Sequence, residues 1–102
     1  MTDELDWISQ WYLAQCDGDW EHSWGPVIST IDNPGWSIEI ALTGTDCDGR
    51  TMEQVTHNYE HETAWWTCRV EDNVFKAAGG PLQLRSMLAA FRDWATRQRA
   101  DD

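Results

Sequence analysis

Positive charge is what this chain has least of. Its 102 residues carry 7 Lys and Arg against 18 Asp and Glu, a formal net charge of −11. A phosphate backbone would be repelled, which argues against direct nucleic-acid binding, and an anionic membrane surface is disfavoured on the same ground. Cysteine is also sparse. Cys16, Cys47 and Cys68 are odd in number and widely spaced, so no disulfide framework is expected and a reduced, cytoplasmic setting is the default. No apolar run approaches the length of a membrane span, and the acidic start Met1-Thr2-Asp3-Glu4 is unlike a secretory signal. There is no C-x-x-C pair, no Walker pattern and no dinucleotide fingerprint.

Tryptophan, by contrast, is abundant. Eight Trp lift the aromatic share to 12%, enough to furnish one core in a single domain spanning 1–102. The acidic charge is concentrated: residues 1–80 hold 15 acidic and 3 basic side chains, and residues 81–102 hold 3 and 4. The natural partner of such a surface is basic, a cationic protein or a protein that itself binds nucleic acid, although acidic charge also keeps small proteins soluble.

The periodicities predict the order α-β-β-β-β-β-α. Leu5, Ile8, Tyr12 and Cys16 recur as one helical face over 3–16, widened by Trp7 and Trp11, with Thr2 as a cap and Asp17-Gly18 as the breaker. A loop over 17–25 leads to a strand at 26–32. Pro34-Gly35 suits a type II turn, and the next strand, 36–43, alternates with Trp36, Ile38, Ile40 and Leu42 inward. Further strands are expected at 53–59, 64–71 and 74–78. The third would turn Val55, His57 and Tyr59 to one side, and the fourth Trp66, Cys68 and Val70. After a Gly79-Gly80 hinge, Pro81 opens a helix over 81–97 with Leu84, Met87, Leu88, Phe91, Trp94 and Ala95 on its apolar face; the tail from Arg97 to Asp102 should fray. The expected class is α+β: a two-layer domain with an antiparallel sheet of about five strands and both terminal helices on one face; short connections favour a meander, but the sequence does not set the strand order.

Candidate chemistry is thin. His57 and His61 are four apart, a ligand spacing for a helix but not for a strand or loop, so no metal is expected. Asp17, Asp19 and Glu21, or Asp46 and Asp48, do not continue into a calcium loop. Cys16 with His22, and Cys68 with His57, lack a feature that would activate a thiolate. Asp19 and Glu21 are a poor glycosidase pair in so short a chain. Gly79-Gly80-Pro81-Leu82 lacks a phosphate-binding context. Neither enzymatic activity nor a cofactor is expected.

One stretch does stand out. Cys16-Asp17-Gly18-Asp19-Trp20-Glu21-His22-Ser23-Trp24-Gly25 holds three carboxylates, two Trp and one His without a basic group. Large flat anchors beside charge are what a recognition surface needs. Asp17, Asp19, Trp20, Glu21, His22 and Trp24 are the candidate binding residues. Asp32 and Asn33, one strand away, are candidates to share the surface. The same Trp and carboxylates would also suit a small carbohydrate-binding module.

That stretch, with Trp7-Ile8-Ser9-Gln10-Trp11-Tyr12 before it and Asp32-Asn33-Pro34-Gly35-Trp36-Ser37 after it, resembles the immunity protein 53 family. Val70-Glu71-Asp72, Ala78-Gly79-Gly80-Pro81 and the closing helix extend the likeness over residues 5 to 96. The resemblance implies a bacterial antidote that accompanies a polymorphic toxin and binds its toxin domain. Many such toxins act on nucleic acid through basic clefts, which an acidic face would match.

Overall fold

In a computed structural model, which describes residues 3–32 and 34–97, an N-terminal helix α1 (Glu4–Gln15) leads through a short 3-10 turn (Trp20–His22) to strands β1 (Pro26–Ile31) and β2 (Gly35–Ala41). Strands β3 (Val55–His57), β4 (Trp66–Glu71) and β5 (Val74–Gly79) and the helix α2 (Leu84–Thr96) follow. The five strands form one antiparallel sheet, and the fold is α+β as expected.

The strand order is β1-β2-β5-β4-β3, not a meander. After β2 the chain crosses to the far edge and returns, so β5 lies between β2 and β4. Burial explains this. Ile38 and Ile40 on β2 and Phe75 on β5 are fully buried and belong in the middle, whereas all three residues of β3 are exposed and suit an edge. Ile38 faces Ala77 and Ile40 faces Phe75 across the β2–β5 pair, and Cys68 completes the row from β4. The inward faces of the second and fourth strands are thus as predicted. The third strand is shorter than 53–59, and Tyr59 lies beyond it, 66% exposed.

Helix α2 lies over this inner face with Met87, Leu88, Phe91 and Trp94 buried. Truncating a ring such as Phe91 to Ala costs about 3–5 kcal/mol in such a site. Helix α1 packs beside α2: Trp7 and Trp11 meet Phe91 edge-on at 5.8 and 5.1 Å. Its core stripe is therefore Trp7, Ile8 and Trp11. Leu5 and Tyr12, expected inside, are 62% and 38% exposed. The larger Trp rings reach Phe91 and take the interior, leaving the neighbouring stripe to solvent. The helix cap is Asp3, whose Oδ1 accepts the Asp6 N–H at 2.8 Å; Thr2 lies outside the described residues. The tail beyond Arg97 lies outside them too.

Two glycine expectations are corrected. Gly35 does not take a positive φ and so does not fill the type II turn position; it is the first residue of β2, where a Cβ would collide with the Gly79 carbonyl oxygen. Gly80 is no loose hinge. It is buried, its N–H donates to Trp65 O at 2.9 Å, and a Cβ there would run into the Thr63 carbonyl. Residues 81–83 form a turn, and α2 starts at Leu84. Its C-terminus is held by Arg50, which donates to the carbonyls of Trp94, Ala95 and Arg97 and stacks 4.6 Å from the Trp94 ring.

Candidate functional site

The acidic loop is built on its own carboxylates. Asp17 Oδ1 accepts the N–H groups of Trp20 (2.9 Å) and Asp19 (3.0 Å), closing the 3-10 turn from below. Those two backbone donors hold the Asp17 carboxyl below its ordinary range. Glu21 reaches back to accept from Gly18 N (2.9 Å) and Asp17 N (3.0 Å). Gly18, at φ 92°, supplies the left-handed residue that this sharp reversal requires. Asp19 and His22 stand exposed.

The two tryptophans of the loop part company. Trp20 is buried, 6% exposed, with its Nε1 donating to Thr43 O at 2.8 Å and its ring edge-on to Trp11 at 6.4 Å. Trp24 is 44% exposed. It lines a groove of about 660 Å³ between α1 and β1, together with Leu5, Tyr12, Val27 and Ile28. All five of these side chains are large, apolar and exposed.

The structure thus brings Asp17, Asp19, Glu21, His22 and Trp24 together at one end of β1 and takes Trp20 into the interior. Asp32 lies beyond the opposite end of the strand, about 20 Å from Pro26 at roughly 3.3 Å per residue. Asn33 lies outside the described residues. Sequence reasoning missed Leu5, Tyr12, Val27 and Ile28 as surface residues. The available signal was that α1 carries two apolar stripes side by side, and only one can face the core.

The other candidate chemistries are tied up structurally. His57 stacks on Trp66 at 5.6 Å, while His61 Nδ1 accepts the N–H groups of Thr63 and Ala64. Asp48 accepts from Gly44 N and from the Asn73 amide, which hold its carboxyl below the ordinary range. Cys47 and Cys68 are buried, which pushes each thiol up to about 11 and makes a thiolate costly. No group of three or more His, Cys, Asp or Glu among the described residues is arranged to hold a metal ion. No helix among them is long and apolar enough to cross a membrane.

The family model described as Immunity protein 53 matches residues 5–96, which is nearly the whole of this α1-to-α2 architecture. The chain belongs to the immunity protein 53 family. No curated protein and no solved structure matches it. Membership of an immunity protein family implies a cognate toxin as the partner.

Proposed function

We propose that this chain is a non-enzymatic, cytoplasmic antidote that binds and neutralises a bacterial toxin domain through the surface formed by α1, the acidic loop and β1. The observation that carries this reading is Trp24, an exposed ring lining an apolar groove, carried on the same loop as Asp17, Asp19 and Glu21. A large desolvatable ring on a loop that also carries like-sign charge is the make-up of an interface anchor with a steering field. The charge favours a basic toxin surface, such as the cleft of a nuclease, which the antidote would block. Trp20 shapes this surface from beneath and does not touch the partner.

Co-expression with the toxin domain encoded beside this chain tests the reading. A stoichiometric complex with loss of toxin activity is the expected result. Two folded proteins that neither bind nor protect would overturn it.

A further inference from the structure

The two edges of the sheet are unlike. Natural edge strands are kept from pairing with other chains by shortness, by charge, by proline or by a bulge. Strand β3 meets that requirement, being only three residues long. Strand β1 does not. It runs for six residues in unbroken register with β2, carries no charged side chain, and has its only proline at its first position. Four of its six residues are exposed, with Val27 at 56% and Ile28 at 39%. Its outer side pairs with no strand of the described residues.

The surroundings of this edge specify what would pair with it. Val27 and Ile28 point to opposite faces of the sheet, and both line the groove whose other wall is Leu5, Tyr12 and Trp24. An added strand would place alternate apolar side chains in this groove. The charge is just as one-sided. Residues 1–49, which include α1, the acidic loop, β1 and β2, contain ten carboxylates and no Lys or Arg. Glu39, opposite Val27 on β2, also lines the groove. A second copy of this chain would bring the same anionic surface to the edge and be repelled; a cationic segment would be attracted.

We propose that the edge of β1 takes up an extended segment of the toxin as a sixth strand, with apolar side chains in the α1–β1 groove alternating with basic ones that meet the surrounding carboxylates. Main-chain hydrogen bonds would supply affinity, and the groove and charge would supply selectivity. This rests on the antidote reading and goes further in naming the secondary structure and chemistry of what is bound.

Hydrogen exchange of this chain, alone and with the toxin domain encoded beside it, is the direct test. The amides of residues 27–31 should exchange more slowly in the complex. A complex that leaves them unchanged would overturn strand addition while leaving the antidote reading intact; absence of any complex would overturn both. A second measurement uses Val27→Lys with Ser29→Lys. Both positions are exposed, so the fold should persist, and Lys at 27 faces Glu39. The double variant should bind the toxin about 30-fold more weakly or worse, as for loss of an interface hot spot. Glu53→Lys makes the same +2 change next to β3 at the opposite edge and should leave affinity within a few-fold. Equal weakening by both would reduce the effect to net charge and overturn the proposal. So would a β1-paired dimer of this chain, seen by sedimentation, that persists with its β1 edge still paired in the toxin complex.

Discussion

The indole of Trp20 donates to the carbonyl oxygen of Thr43 at 2.8 Å, linking the acidic loop to the end of β2 across 23 residues of sequence. That bond and the edge-on contact with Trp11 make Trp20 the fastening of the loop, while Trp24, four residues on, is left to solvent. A loop anchored from beneath can present charge in a fixed arrangement.

The two rings should therefore respond oppositely to truncation. Trp20→Ala should destabilise by about 3–5 kcal/mol, and Trp20→Phe by less, since the ring volume is mostly kept and one hydrogen bond is lost. Trp24→Ala should change stability by no more than about 0.5 kcal/mol yet weaken toxin binding by at least about 2 kcal/mol. Chemical denaturation alongside titration with the toxin domain separates the two effects. Equal losses of stability would contradict the division of labour.

The carboxylates divide in the same way. Glu21 accepts two main-chain N–H groups, so Glu21→Ala should cost about 1 kcal/mol of stability before any effect on binding. Asp19 has an exposed side chain, and Asp19→Lys should leave the melting temperature nearly unchanged. Its effect should appear as slower association and a flatter dependence of that rate on salt. Stopped-flow mixing at two ionic strengths reads both quantities; an association rate that ignores the substitution would remove Asp19 from the steering field.

How far the sequence alone reaches is visible in these residues. Alternation along Trp36-Ile38-Ile40-Leu42 and the 3–4 spacing of Leu84 through Trp94 are local patterns, and both faces were legible from them. Strand order was not, because the choice of β5 rather than β3 as the neighbour of β2 depends on which strand can bear burial on both sides. Nor could spacing choose between Leu5-Ile8-Tyr12 and Trp7-Ile8-Trp11, since Phe91, which decides it, is some 80 residues away. Trp20 and Trp24 share a motif and differ only in what lies beneath them. The tight glycines are similar: Gly35 and Gly80 look like turn residues until Gly79 and Thr63 are seen pressed against them.

Acid should loosen the loops before the core. The carboxyls of Asp17, Asp48 and Glu71 are held below their ordinary values, the first two by hydrogen-bond donors and Glu71 chiefly by Lys76, whose Nζ lies 3.0 Å away. In the unfolded chain these groups bind protons at higher pH than in the folded one. Their contribution is thus complete above the ordinary carboxylate range and is lost as pH falls through the lowered values. Stability should be flat near neutrality and fall below about pH 4. Asp48→Asn should reduce that slope, and denaturation at a series of pH values checks it. A slope unaltered by Asp48→Asn would remove this carboxylate from the account.

The thiols give the opposite sign at the alkaline end. Burial raises Cys47 and Cys68 from 9.0 to about 11. Unfolded thiols release their protons first as pH rises, so between those values the unfolded state binds fewer protons and stability falls with pH. Cys16 is only partly buried, at the end of α1, with its Sγ donating to Tyr12 O at 3.2 Å. A thiol-specific chromogenic reagent should accordingly label Cys16 quickly in the native protein, and Cys47 and Cys68 at the rate at which the fold opens. Addition of denaturant should merge all three into one fast phase. A fast Cys68 under native conditions would mean that the β4–α2 layer opens far more readily than its packing implies.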